Sequence, residues 1–369
     1  MRSGDQDFDL NQGLVGAYSK LKIFHHRDKM DALLEGRLTA PIAVRVKPTN
    51  KCNHGCFYCV YDASFSCIHQ EKRRKDEIPL GKIEEILNNF SEMGVKAVIY
   101  SGGGEPLFHP NAEDFLEFTV KNKLDLAIIS NGQCLNGKKA ELLAEHAFWV
   151  RLSMDYCDLE TFIKTRAGNE KMFKEIIDNI KRFVKMKNKD CEFELAYNVH
   201  EYNYHRIIDS AKFFKDLGFE NVRFGPVWKP GFVEYHAAFR STAEKLLEKA
   251  KKEVGDDHFK IGDTYTRDFE MSGVPDRKYT TCYWMQICPA IGADQVVYTC
   301  PNKAYDLTGA IGSLKERSFK DLWQSRKTLE IYKSFNPQES CRHQCTADEK
   351  NCIINEWRDS GNRKVVNFP

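Results

Sequence analysis

The sequence predicts an α/β protein: an open, partial (β/α)6 barrel followed by a small cysteine-rich domain made of a β-hairpin and a helix. Two observations carry this reading. From residue 42 to about 228, short β-branched runs alternate with amphipathic stretches whose apolar residues recur near every 3.6 positions, the pattern of repeated βα units around a parallel sheet. After that alternation ends, cysteines gather between Cys282 and Cys352, which calls for a second, metal-dependent module.

Taken in order, residues 1–41 form an N-terminal extension, too short for a folded recognition module. Strands are expected at Ile42 to Val46, Ala97 to Tyr100, Leu124 to Ser130, Trp149 to Ser153, Glu194 to Val199 and Val222 to Val227, where β-branched and aromatic residues concentrate. Helical periodicity occupies Gly81 to Met93, Ala112 to Lys121, Lys138 to His146, Met172 to Met186 and Tyr204 to Leu217. Six parallel strands fall short of a closed eight-stranded barrel, so the barrel, residues 42–240, is expected to stay open. Residues 241–275 read as a linker that begins with a charged helix capped by Ser241 or Thr242. Residues 276–358 form the cysteine-rich domain, with a hairpin around Ala293 to Thr299 and a helix from Phe319 to Phe335; residues 359–369 are a tail.

Composition narrows the function classes. The 369 residues are 42% hydrophobic with net charge +2, and the basic residues are interspersed with acids, so no nucleic-acid-binding field is implied. The basic run Lys72 to Lys75 reads as a solvated loop. No apolar run approaches the roughly 20 residues of a membrane span, and the first residues lack a signal-peptide pattern. Thirteen cysteines in a chain without an export signal suit reduced, metal-binding thiols in the cytoplasm. Cys134, Cys157 and Cys191 stand singly in or beside apolar segments and read as packed thiols.

Cys52, Cys56 and Cys59 share one short loop with C-x3-C-x2-C spacing. Three thiolates there can hold three irons of a cubane iron–sulfur cluster and leave the fourth open. A zinc site completed by His54 or His69 is the competing reading. With Tyr58 directly before the third cysteine, the loop resembles the signature of the radical S-adenosylmethionine (radical SAM) superfamily. Further matches lie at strand ends: Gly103, Gly104 and Glu105 resemble the element that holds the SAM amino group, and Ser130 and Asn131 the ribose-contacting position. Ser153 with Arg166 resembles the pair that meets the SAM carboxylate, and Gly225 to Val227 the backbone set against adenine. The resemblance implies a [4Fe-4S] cluster with one open iron, SAM as cofactor, and an external reductant such as flavodoxin or ferredoxin. Cys67 is not expected to be a ligand, since a fourth thiolate would fill the open position.

The late cysteines, Cys282, Cys288, Cys300, Cys341, Cys345 and Cys352, resemble the SPASM and twitch extensions of that superfamily, which carry auxiliary clusters. They are too few for two fully ligated clusters, so one auxiliary [4Fe-4S] cluster is expected. Cys288, Cys300, Cys341 and Cys345 are the best quartet, with Cys282 and Cys352 as alternates; a structural zinc site competes with this. Asp155, His200, Arg223 and Lys229, alongside Tyr197 and Trp228, are candidates for the substrate side of the barrel mouth. Pro301 and Asn302 after Cys300 differ from the aspartate that sulfatase-maturing relatives place after a cluster cysteine. The expected activity is hydrogen abstraction from a small molecule, a carbohydrate or similar hydroxylated metabolite, leading to oxidation or epimerisation. Peptide modification is the alternative within the family, and a non-catalytic zinc-binding protein the alternative outside it.

Overall fold

The computed structural model describes residues 19–61, 75–229, 231–270, 277–341 and 345–361. Cys67, His69 and Lys72 to Arg74 of the basic run lie outside the described residues. One mixed sheet organises the chain. Its strands are β1 (Ala43–Val46), β2 (Ala97–Tyr100), β3 (Asp125–Ser130), β4 (Ala147–Ser153), β5 (Glu192–Val199), β6 (Asn221–Pro226), β7 (Lys260–Asp263), β8 (Ala290–Ile291), β9 (Val296–Tyr298) and β10 (Ala310–Ser313). They lie in the order β10-β9-β8-β1-β2-β3-β4-β5-β6-β7.

All pairings from β1 to β7 are parallel. Helices Leu80–Met93, Ala112–Lys121, Gly137–His146, Glu170–Met186 and Ile207–Asp216 make the crossovers that parallel pairing requires. Alternation along each strand divides the residues between two faces. Val44, Val46, Val98, Tyr100, Val150, Leu152, Phe193, Leu195, Val222 and Phe224 are fully buried in the main core. The opposite positions carry Arg45, Ile99, Arg151, Glu194 and Arg223, which line an interior cavity. The inner face is therefore charged where a closed barrel would be packed with apolar side chains.

Several elements differ from the sequence expectation, three of them near the sheet edges and the cysteine loop. The segment read as a linker supplies a seventh parallel strand: helix Arg240–Glu253 packs back and β7 pairs with β6 from Asn221↔Lys260 to Phe224↔Asp263. Lys260-Ile-Gly-Asp lacks a β-branched run, so only the free edge of β6 makes it a strand. The expected helix Phe319 to Phe335 is two, Phe319–Trp323 and Arg326–Ser334, because Ser325 caps the second by accepting from the Thr328 N–H at 3.2 Å. Helix Leu159–Arg166, started by Asp158 accepting from the Thr161 N–H at 2.8 Å, is additional.

The hairpin is present as β8 and β9, with Gln295 in the left-handed region (φ 64°) at its turn. It does not stand apart, since β8 pairs parallel with β1 through Arg45↔Ala290 and Val46↔Ile291. Residues 19–41 pack on the same module: Ile23, Met30 and Leu33 share a buried cluster with Tyr283, Met285, Ile287, Tyr332 and Ile354. The Trp323 indole donates to the Thr39 carbonyl at 2.8 Å and stacks on Phe319. Among the described residues, no helix is long and apolar enough to cross a membrane.

Trp323 is 2% exposed and joins the barrel helices, the N-terminal segment and the late module. Trp323→Ala should lower stability by about 3–5 kcal/mol, seen as an earlier denaturant midpoint; an unchanged midpoint would show that this contact does not hold the parts together.

Candidate active site

The loop after β1 is clamped between two neighbours. Gly104 and Glu105 donate backbone N–H groups to the carbonyls of Thr49 and Lys51, both at 2.9 Å. On the other side, Gly55 and Phe57 donate to the carbonyls of Arg166 and Thr165 at 2.9 and 3.1 Å, filling acceptors that the end of helix Leu159–Arg166 leaves open. A Cβ on Gly104 would lie 1.9 Å from the Lys51 oxygen, and one on Gly103 would lie 1.8 Å from the Asn50 amide oxygen. The glycines are thus what lets the β2 end approach the cysteine loop.

Cys56 and Cys59 lie near enough to raise the Cys52 thiol, and Cys59 near enough to raise Cys56, although burial dominates and pushes Cys52 up to about 12. Burial raises Cys56 as well, and the Arg166 guanidinium, donating to its sulfur at 3.2 Å, works against it. Metal ligation therefore displaces protons here, with Arg166 favouring thiolate at Cys56. Three grouped thiols with one cationic neighbour fit an anionic cluster. His54 is turned to the Gln133 side-chain oxygen at 3.0 Å, and burial holds it down at about 4.

Glu105 gathers the ends of β2 and β3. Its carboxylate accepts from the Ser130 hydroxyl at 2.8 Å, the Asn131 N–H at 2.7 Å and the Leu107 N–H at 3.1 Å. The Asn131 side chain continues to Asn53 on the cysteine loop at 2.7 Å. Burial lifts the Glu105 carboxyl to about 7 despite these donors. Ser153 ends β4 and is partly exposed.

Arg166 also donates to Asp155 from Nε at 2.9 Å and from Nη2 at 2.5 Å, while His200 meets the other carboxylate oxygen at 3.3 Å. Burial would raise Asp155, but Arg166 and the His200 hydrogen bond outweigh it and hold the carboxyl well below the usual range. Tyr58 lies 5.4 Å from the Arg166 guanidinium and 5.7 Å from the His200 ring. Asp155 and His200 are fully buried, so they stand in the wall behind Cys56 and not at an open mouth as the sequence reading had them. Tyr197 is buried beneath the sheet, its hydroxyl on the Asn203 carbonyl at 3.2 Å. Trp228 stacks on Phe232, and the Lys229 ammonium sits 3.9 Å above the Tyr235 ring. Of that expected group, Arg223 alone lines the interior cavity.

The late cysteines divide in two. Cys282, Cys300, Cys341 and Cys345 form one electrostatic group: burial raises each thiol, and Cys282 further feels Cys300, Cys345 and Cys341. The Asn351 amide and the Ala347 N–H each donate to sulfur, at Cys282 and Cys345, both at 3.4 Å. Cys288 instead faces Arg45 and Lys350, and Cys352 lies among Asp348, Lys278, Arg277 and Glu349. Cys282 thus stands with Cys300, Cys341 and Cys345, where the sequence reading preferred Cys288 and kept Cys282 as an alternate. The reason is local: helix Trp284–Ile287 separates the two, and Cys288 is drawn toward β1 by the β8 pairing. Among the described residues, no three His, Cys, Asp or Glu side chains are grouped so as to hold a single metal ion.

A cavity of about 600 Å3 is lined both by Cys282, Cys300, Cys341 and Cys345 and by the inward-facing strand residues Arg45, Arg151, Glu194 and Arg223. Between it and the first cysteine loop, Lys47 is 1% exposed, hydrogen-bonds to the Tyr61 hydroxyl and lies 5.4 Å from the Tyr305 ring centre. Its pKa falls to about 7, chiefly through burial. Tyr305, with a left-handed backbone (φ 69°), donates from its hydroxyl to Asn50 at 2.5 Å and accepts from the Ala293 N–H at 3.1 Å. Arg45, Lys47 and Tyr305 escaped the sequence reading; the signal for the first two was charge alternating with valine along β1.

A family model described as the radical SAM superfamily matches residues 46–214. The GTP 3',8-cyclase of Aquifex aeolicus is 25% identical over 315 residues, covering 80% of this chain and 93% of its own length. The subtilosin biosynthesis protein AlbA of Bacillus subtilis is 24% identical over 180 residues, 48% of this chain and 38% of the relative. Among solved structures, Streptococcus suis SuiB bound to its precursor peptide SuiA superposes with a TM-score of 0.62 at 15% identity, over 93% of this chain and 78% of that one. AdoMet-bound anSMEcpe gives a TM-score of 0.56 at 17% identity, over 79% and 83% respectively.

Removing Arg166 would leave Asp155 as an uncompensated buried charge. Arg166→Gln should cost about 3–5 kcal/mol, and adding Asp155→Asn should return part of that loss. Because the Asp155 pKa is lowered, the pair's contribution is complete above about pH 4 and should disappear only in strong acid. Denaturation of the two variants across pH checks both statements; additive losses in the double variant would sink the coupling.

Proposed function

From the premise that this chain is a radical SAM superfamily protein with a cysteine-rich auxiliary module, we propose that it abstracts hydrogen from a small hydroxylated metabolite of the carbohydrate class, for oxidation or epimerisation. The observation that carries this reading is the charged cavity of about 600 Å3 beside the late thiol group, lined by Arg45, Arg151, Glu194 and Arg223. A cavity of that volume suits a compact ligand, and charged walls suit a polar one. The Aquifex aeolicus relative is named for GTP, itself a ribose-bearing compound.

Cys52, Cys56 and Cys59 would hold the [4Fe-4S] cluster with the open iron. When bound, that cluster and SAM supply the 5'-deoxyadenosyl radical that removes hydrogen from unactivated carbon. Gly103, Gly104, Glu105, Ser130, Asn131, Ser153 and Arg166 are assigned to SAM, with the Glu105 carboxylate offered to its ammonium group. Arg166 positions Cys56 and is itself fixed by Asp155. Cys282, Cys300, Cys341 and Cys345 would hold the auxiliary [4Fe-4S] cluster. Flavodoxin or ferredoxin is the proposed reductant, and the cytoplasm the proposed location. Peptide modification is the second reading, favoured by the match to the subtilosin biosynthesis protein.

Anaerobic reconstitution should give about eight irons per chain and, on reduction with SAM, 5'-deoxyadenosine. Cys56→Ala should abolish the latter and keep about four irons. Cys282→Ala should lose the auxiliary cluster, whereas Cys288→Ala should retain it; the reverse result would restore the sequence quartet. Zinc without SAM cleavage would overturn the enzymatic reading. A gain of uncoupled turnover with peptides but not with sugars would favour the second reading.

The raised Glu105 pKa adds a pH dependence. Its carboxyl keeps a proton below about 7, whereas an ammonium partner favours the carboxylate. SAM binding should therefore release protons near neutrality and weaken by up to about tenfold per pH unit on acidification below that value. Calorimetry in buffers of different ionisation enthalpy measures the release. Affinity that stays flat through this range would remove Glu105 from the SAM site.

A further inference from the structure

Among the described residues, two cations that line the cavity, Arg45 and Lys350, form no ion pair. Arg45, pointing inward from β1, has its Nε buried without a hydrogen-bond partner. Its electrostatic neighbours are Cys288, Arg151, Tyr61 and Cys300, with no carboxylate among them. Lys350, on helix Asp348–Gly361, faces the same cavity, where its ammonium lies 4.4 Å from the Trp284 ring centre. Cys288 and Arg45 are its two strongest electrostatic neighbours, so the two cations flank one thiol.

The acids that line the cavity are engaged elsewhere. Glu194 pairs with Arg151 at 2.6 Å and accepts from the Trp149 indole at 2.7 Å. Glu192 accepts from the Asn221 amide at 2.9 Å. Glu349, beside Lys350 in sequence, pairs with Lys20 at 2.7 Å. Burial lowers the pKa of both Arg45 and Lys350 and raises that of Cys288, so the thiol between them is not held as their counter-ion. Two half-buried cations that line one cavity are costly unless an anion joins them.

We propose that Arg45 and Lys350 form a recognition site for an anionic substituent of the substrate, a phosphate or a carboxylate, in the cavity beside Cys288. The proposal rests on the small-molecule reading above and deepens it: the hydroxylated substrate carries an acidic group that docks at the auxiliary end of the cavity. Arg45 offers a planar fork suited to two oxygens, and Lys350 a point charge from helix Asp348–Gly361. Cys288, left out of the four-thiol group, forms the floor of this site.

The test uses the full chain, anaerobically reconstituted, with inorganic pyrophosphate and succinate as separate probes in titration calorimetry. At least one probe should bind, and rising chloride should weaken it. Arg45→Gln and Lys350→Gln should each weaken it by about tenfold or more, while Lys174→Gln, on the outer surface, should leave it unchanged. Preference for pyrophosphate identifies a phosphorylated substrate, and preference for succinate a carboxylated one. Lys350 lies outside the barrel, so its variant reports on the site even where Arg45→Gln disturbs β1. Each titrated sample is matched for iron content. Failure of both probes to bind, or binding insensitive to both substitutions, overturns the proposal. Wild-type protein that makes 5'-deoxyadenosine yet shows either result refutes the anion site alone, whereas absence of 5'-deoxyadenosine refutes the underlying reading.

Discussion

The buried Asp155–Arg166 pair is the constraint on which the first cysteine loop depends. Through it, one side chain at the end of helix Leu159–Arg166 reaches the Cys56 sulfur, while the backbone of the same residue accepts from Gly55. A buried ion pair contributes little net stability, but it permits few alternative arrangements. Here that restriction is used twice, because His200 and Asn203 hold Asp155 from behind and leave Arg166 one direction to point. Ala167, left-handed at φ 52°, ends the helix at once and lets the cysteine loop close over its terminal carbonyls.

A second constraint joins the two cysteine groups. Tyr305, in the late module, occupies a backbone conformation that costs a non-glycine residue about 1–3 kcal/mol. Its hydroxyl is fixed between Asn50 and Ala293, so the surrounding hydrogen bonds hold that strained geometry. Gly103 is packed against both Asn50 and the Tyr305 hydroxyl. The loop proposed to carry SAM is thereby tied to the module proposed to carry the auxiliary cluster. Pairing of β8 with β1 makes the same connection through backbone, and the N-terminal segment seals its outer side. The interior these parts enclose is charged, since the apolar faces of the strands are spent against the helices.

Much of this was legible in the chain. Six strands were, because each is a β-branched run between turn residues; β7 was not, because Lys260-Ile-Gly-Asp acquires its conformation from the open edge of β6. The thiol triad and the glycine run were legible from spacing alone. Asp155 and His200 were found among the candidates for the barrel mouth, yet neither their pairing nor their depth was, since both depend on what packs around them. Helix Leu159–Arg166 was missed although Asp158 signals its start, and with it went the reason for the position of Arg166.

By itself the sequence determined the features that depend on neighbours along the chain: the βα alternation, the triad spacing, the strand-end glycines and the count of late cysteines. Tertiary structure alone decided the features that depend on distant partners. Arg166 meets Cys56 across 110 positions and Tyr305 meets Asn50 across 255. The grouping of Cys282 with the other late thiols, and the common cavity of Arg45 and Lys350, belong to the same class. Periodicity cannot foresee such partners, because each is set by how the sheet edges close and not by the local preference of either residue.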